Sequence, residues 1–247
     1  MNILVTGGSR GIGRAIAHAL AARGACIALH YRADRAAAES ALAALPGEGH
    51  ALFAAELGEA DAAEELWRAA LARFGRIDVL VNNAGIYEYH PPLETSPADW
   101  RRAWERTLAI NLLGPASLCL LAGQAMAAAG GGRIVNLSSR GAFRGEPRAP
   151  AYGASKAGLN SLSQSLAQAL APRQVYVFCL APGWTETEMA APILTGPRAE
   201  EILAQQPLGR VARPEEIARA AVFCALDAPA AMTGSIIDLN GASYLRT

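Results

Sequence analysis
Asn2-Ile3-Leu4-Val5-Thr6-Gly7-Gly8-Ser9-Arg10-Gly11-Ile12-Gly13 opens the chain and decides how the rest is read. Residues 2–6 carry Ile, Leu and Val with no polar alternation, the pattern of a strand buried on both faces. Residues 11–23 set Ile12, Ile16, Ala19 and Leu20 on one side of a helix, and Gly24 stops it. The turn between them holds Gly7, Gly11 and Gly13. Glycine there bends the chain tightly, lets backbone N–H groups approach a bound group, and lets the helix pack closely on the strand. The helix N-terminus adds unpaired N–H groups and a partial positive charge, which together seat a phosphate.

The same alternation continues downstream. The apolar runs 26–31, 50–55, 77–81, 133–137, 175–180 and 235–239 predict strands. Amphipathic stretches at 34–45, 59–74, 150–170 and 214–225 predict helices, and 97–129 a long helix or a broken pair. Strand–helix alternation throughout predicts an α/β chain: a doubly wound, Rossmann-like parallel sheet of about seven strands with helices on both faces and right-handed crossovers. No linker or internal repeat divides the sequence, so residues 1–247 are read as a single domain. Two segments, 85–99 and 183–213, lack strand character and follow strands at the carboxyl edge, where ligands bind in such sheets.

Composition excludes several classes. The 247 residues carry 22 Lys+Arg against 22 Asp+Glu, and 52% are hydrophobic. That rules out disorder and argues against a nucleic-acid or anionic-membrane binder. Arg101, Arg102 and Arg106 read as a solvated helix face. Cys26, Cys119, Cys179 and Cys224 form no C-x-x-C pair and sit in apolar runs, so they read as small buried hydrophobes in a reducing compartment, with no metal site. The stretch 108–131 is nearly free of charge, but Asn111, Pro115 and Gln124 favour a helix buried against a sheet or a partner over a membrane span. The first residues lack a basic n-region, and a cytoplasmic protein is expected.

The turn itself is spaced G-x-x-x-G-x-G, and its place between first strand and first helix points to a nucleotide. NAD binders usually put an acidic residue at the end of the second strand, on the ribose 2′-hydroxyl. Tyr31 stands there, followed by Arg32, and Arg10 lies within the turn. A guanidinium pairs with a 2′-phosphate that a carboxylate would repel, so NADP(H) is the expected cofactor. At the other end of the chain, Tyr152 and Lys156 are i and i+4 and share a helix face. A neighbouring ammonium would pull the tyrosine toward a working acid–base range.

With these motifs in order, the sequence resembles the short-chain dehydrogenase/reductase family over essentially its whole length. Thr6-Gly7 through Gly11 and Gly13 matches the family's cofactor turn, and Asn82-Asn83-Ala84-Gly85 its motif after the fourth strand. Asn111 falls in the long helix, Ser138-Ser139 ends the fifth strand, Tyr152 and Lys156 fit YxxxK, and Pro182-Gly183-Trp184-Thr185-Glu186-Thr187 fits the PG segment. The resemblance implies hydride transfer between a nicotinamide and a carbonyl or alcohol, with Tyr152 as acid or base. It implies that Lys156 lowers the Tyr152 pKa and holds the ribose, that Ser139 (Ser138 as runner-up) polarises the carbonyl, and that Asn111 holds a relay water. Gly7, Ser9, Arg10, Gly11, Ile12 and Gly13 would line the phosphate end. Asn83, Ala84 and Gly85 would line the adenosine side. Pro182, Gly183, Thr185 and Thr187 would hold the carboxamide end.

Glu56-Leu57 stands where the family often has Asp near the adenine, and the longer acid offers the same acceptor. Within the family the chain is most like 3-oxoacyl-acyl-carrier-protein reductases, which makes an acyl thioester one candidate substrate. Arg173 would serve an acidic carrier, whereas 126–132 lacks the basic pair that subgroup often shows. A sugar, steroid or cyclic ketone is the alternative, and a non-catalytic NADP(H)-binding regulator a further one. Tyr87, Tyr89, His90, Trp184, Met189, Ile193 and Leu194 predict a partly aromatic pocket under a lid at 187–206. The resemblance also implies a homotetramer.

Overall fold
The first strand, β1 (Asn2–Val5), lies inside a seven-stranded parallel sheet in a computed structural model that describes residues 1–246. The other strands are β2 (Cys26–Tyr31), β3 (Ala51–Ala54), β4 (Val79–Asn82), β5 (Gly132–Leu137), β6 (Val175–Pro182) and β7 (Ile236–Leu239). Their order across the sheet is β3-β2-β1-β4-β5-β6-β7. The strand order therefore reverses between β1 and β4, and the crevice above their carboxyl ends is the expected ligand position.

Side-chain parity along the strands builds two cores. Ile3, Val5, Ile27, Leu29, Val81 and Val135 point to one face, under α1 (Gly11–Ala21), α2 (Arg35–Ala43) and α10 (Pro214–Val222). Leu4, Ala28, Leu80, Ile134 and Val177 point to the other, under α3 (Ala62–Phe74), α5 (Gly114–Ala128) and α7 (Pro150–Leu170). Burying each large aliphatic side chain contributes about 1.5–3 kcal/mol. Consecutive strand residues must therefore be apolar, as the opening stretch is.

Local signals set the helix ends. Asp34 caps α2 by accepting from the Ala37 N–H (2.9 Å). Ser96 caps α4 (Pro97–Leu108), with Pro97 at its first position. The helix predicted from 59 starts instead at Ala62, because Asp61 adopts a left-handed backbone (φ 62°). β6 runs to Pro182, beyond the predicted 180, because Pro182 still pairs in register with Leu239. Three short helices, α6 (Gly141–Arg144), α8 (Ala191–Leu194) and α9 (Ala199–Ala204), are too brief to leave a periodic signal. Cys119, Cys179 and Cys224 are buried free thiols, whereas Cys26 is partly exposed.

The long helix is continuous. α4 passes through one π-helical turn, Ala109–Leu113, into α5. By length and composition 97–128 could cross a membrane, yet it packs on α3, α7 and β5. Leu113 and Leu120 stay exposed on its outer side. The π turn rotates Asn111 inward, where it is fully buried. Such turns recur at functional sites.

Candidate active site
A cavity of about 490 Å³ opens at the β1–β4 reversal. Its floor begins in the glycine turn. Gly7 and Gly11 take positive φ (62° and 50°), and a Cβ at Gly13 would lie 2.2 Å from the Gly7 carbonyl oxygen. No side chain fits there. Thr6 Oγ1 accepts from the N–H groups of Asn83 (2.9 Å) and Ala84 (3.0 Å), while Asn83 Nδ2 donates to the carbonyls of Thr6 (2.9 Å) and Gly7 (3.1 Å). The Asn83 amide thus staples β4 to the turn. A further support comes from His30, buried on β2, whose Nδ1 accepts from the Gly7 N–H (3.0 Å) while Nε2 faces the Ala55 carbonyl (3.0 Å). Burial lowers the His30 pKa, against the pull of Glu56.

The far end is built by α7. Pro150 starts this helix, and His90 Nε2 accepts from the Ala151 N–H (3.1 Å), holding its first turn. Tyr152 and Lys156 line the cavity from adjacent turns. Lys156 Nζ donates to the Leu137 carbonyl at the end of β5 (2.7 Å) and lies 5.8 Å from the Tyr152 ring centroid. Burial brings the ammonium down to about 8. Burial likewise pushes the Tyr152 hydroxyl up to about 12, opposed by the nearby Ser139 hydroxyl. Desolvation is the largest influence on this phenol, while the Lys156 ammonium is directed to the Leu137 carbonyl.

The two serines separate. Ser138 Oγ donates to the Lys156 carbonyl (3.2 Å), which ties β5 to α7. Ser139 is near enough to Tyr152 to lower its pKa, and its oxygen accepts from the Gly141 N–H (3.0 Å). Asn111 sits behind them: Oδ1 accepts from the Ile86 N–H (2.8 Å) and Nδ2 donates to the Ile86 carbonyl (2.9 Å) and Ser155 Oγ (3.2 Å). A Cβ at Gly85 would lie 3.3 Å from Asn111 Oδ1 and 3.5 Å from Lys156 Nζ. These groups therefore crowd one point.

Of the residues singled out for the cofactor, Gly7, Arg10, Gly11, Ile12 and Gly13 line the cavity on one side. Asn83, Ala84 and Gly85 follow, with Pro182, Gly183, Thr185 and Thr187 opposite. Ser9, Tyr31, Arg32, Glu56 and Leu57 do not line it. Tyr31 packs its ring into the first core and Leu57 into the second. Arg32 and Glu56 face each other at 3.7 Å on the outer rim, and Arg10 pairs with Asp34 and Glu188. Tyr87, Trp184, Met189 and Ile193 line the pocket as predicted, whereas Tyr89 and His90 border a separate small hollow. Sequence reading missed Glu146 and Arg140, which also line the cavity. Both follow Ser139 in a stretch with no periodic pattern, and only a motif reaching past the serine could have flagged them. Arg173, expected to meet a carrier protein beside the site, lies just before β6, at the opposite edge of the sheet. The length of β6 puts it roughly 20 Å from the cavity.

A doubly wound sheet with a cavity at its switch point is the architecture that binds dinucleotides. A family model described as Enoyl-(Acyl carrier protein) reductase matches residues 7–241. The D-threitol dehydrogenase of Mycolicibacterium smegmatis is 40% identical, over 96% of this chain and 90% of that protein. A 3-oxoacyl-acyl-carrier-protein reductase of Synechocystis is 36% identical, over 96% and 94%. The crystal structure of a putative NAD(P) dependent gluconate 5-dehydrogenase from Beutenbergia cavernae, with NADP bound at low occupancy, superposes with a TM-score of 0.86. It is 37% identical, over 98% of this chain and 96% of that one. This chain belongs to the short-chain dehydrogenase/reductase family, and its substrates are small carbonyl or alcohol compounds.

Proposed function
We infer that this protein interconverts a carbonyl and an alcohol with NADP(H), using Tyr152 as acid or base. The observation that carries the reading is the meeting of Ser139, Tyr152 and Lys156 in one cavity whose other end is the glycine turn. The turn fits a dinucleotide: no side-chain cap or acidic residue occupies the start of α1, and Gly13 admits no Cβ. Gly7, Gly11, Ile12 and Gly13 would hold the diphosphate. Arg10 and Arg32 would take the 2′-phosphate, with Ser9 and the Tyr31 backbone beside them, and Glu56-Leu57 would border the adenine. Asn83, Ala84 and Gly85 would pass beneath the ribose. Pro182, Gly183, Thr185 and Thr187 would hold the carboxamide end.

When bound, the nicotinamide supplies or accepts the hydride. Tyr152 as the phenol gives its proton to the carbonyl oxygen in reduction, and as the phenolate takes one from the alcohol in the reverse direction. Ser139 donates to that oxygen and stabilises the charge developing on it. Lys156 keeps two donors beyond its bond to Leu137, for ribose hydroxyls and proton supply. Asn111 fixes the Ile86 backbone and the helix bearing Tyr152, and would anchor the water that links Lys156 to solvent. Four free thiols accord with a cytoplasmic enzyme. The exposed Leu113 and Leu120 on the long helix accord with a homotetramer.

The test is oxidation of NADPH with a panel of ketones, comparing wild type with Tyr152→Phe and Ser139→Ala. Tyr152→Phe is expected to lower kcat by about 10²–10⁴-fold with NADPH binding kept. Ser139→Ala should cost about 10²–10³-fold, where Ser138→Ala costs far less. A Tyr152→Phe enzyme within tenfold of wild type would sink the reading.

A further inference from the structure
Glu146 is a half-buried carboxylate in the same cavity as Tyr152, and the mechanism above leaves it unused. Its position is built. Gly145 turns the chain with φ 78° at the end of α6, and the Glu146 backbone then runs along the first turn of α7, its nitrogen 3.5 Å from where a Gly153 Cβ would be. A side chain at Gly141 would collide with it, 2.6 Å from Oε1 and 2.7 Å from Cγ. The Tyr87 hydroxyl is near enough to favour the charged form of Glu146, and the Tyr87 ring meets the Tyr152 ring edge-on with centroids 5.0 Å apart. Among the described residues no Lys, Arg or His nitrogen comes within ion-pairing distance of Glu146; burial raises its pKa above the ordinary carboxylate value, with Arg144, Arg140 and Arg198 opposing.

An ionised carboxylate only accepts hydrogen bonds. In the cavity that holds Tyr152, a carboxylate oxygen that Tyr87 does not engage favours a substrate that brings its own donors. A thioester or an acyl chain offers it none. A second hydroxyl beside the reacting carbon offers one, and a run of hydroxyls offers two, one to each carboxylate oxygen. Resting on the oxidoreductase reading above, we propose that Glu146 is a specificity residue that accepts hydrogen bonds from substrate hydroxyls and selects linear polyols or their keto forms over 3-oxoacyl thioesters.

The experiment measures kcat/KM with NADP+ for linear four- to six-carbon polyols (D-threitol, erythritol, xylitol, D-mannitol) and for cyclohexanol, which has one hydroxyl. Acetoacetyl thioester with NADPH is the third arm. Wild type should prefer its best polyol to cyclohexanol. Glu146→Gln, which keeps shape but puts a donor where an acceptor stood, should reduce the polyol-to-cyclohexanol ratio by about 10- to 100-fold, the worth of a charge-assisted hydrogen bond. Glu146→Asp, which keeps the charge at shorter reach, should fall between and serves if Gln disturbs the fold. An unchanged ratio in both variants overturns the proposal. So does a wild type that turns over cyclohexanol or the thioester better than every polyol, and that outcome leaves the oxidoreductase reading standing. No turnover in any arm removes both.

Discussion
His30 gives the glycine turn a dependence on pH that can be measured. Its Nδ1 accepts the Gly7 N–H, so that nitrogen must carry no proton, and Nε2 must carry one to donate to Ala55. A second proton on the ring would break the bond to Gly7 and leave a charge where 2% of the residue is exposed. The folded protein therefore holds His30 below its ordinary pKa of 6.5, by burial, with Glu56 opposing. As pH falls, the unfolded chain binds the proton first. Stability is complete above 6.5 and declines below it, until the folded-state pKa is reached. One such group costs at most about 1.4 kcal/mol for each pH unit between 6.5 and the folded-state pKa. Urea denaturation of wild type and His30→Gln at pH 5, 6, 7 and 8, at one protein concentration, isolates the effect, because other titrating groups cancel in the difference. Wild type should lose ground to the variant only on the acid side. A difference that stays flat from pH 8 to 5 would refute the reasoning, and a difference that grows on the alkaline side would reverse its sign.

Arg32→Glu should shift the NADPH/NADH preference in kcat/KM by about 10-fold or more toward NADH, since the site then repels a 2′-phosphate instead of pairing with it; an unchanged ratio would remove Arg32 from the cofactor site. Light scattering should give a mass about four times the 25.7 kDa of one chain, and a mass near 25.7 kDa would exclude a tetramer closed over Leu113 and Leu120.

The sheet was legible because its signals are local. Runs such as Ile3-Leu4-Val5 are buried on both faces, so they read as strands without any partner being known. α7 kept its predicted bounds, Pro150 to Leu170, because proline pre-sets the first helical position. Tyr152 and Lys156 were visible since i and i+4 share a helix face whatever the helix packs against. Distance in sequence hid the rest. That Ser139 lies near Tyr152 while Ser138 turns to the Lys156 carbonyl depends on how β5 meets α7. The π turn that buries Asn111 leaves no compositional mark in an apolar helix.

By itself, then, the sequence determined the order of elements, the parallel sheet and the two ends of the site, because strand burial, helix periodicity and glycine geometry act over a few residues. Only the tertiary structure decided the balance of charges there. Burial sends the Tyr152 phenol up and the Lys156 ammonium down. Packing, too, brings His30 under Gly7 and Glu146 beside Tyr87, contacts between residues 23 and 59 positions apart. Desolvation and long-range contact are properties of the assembled layers, and no window of the chain contains them.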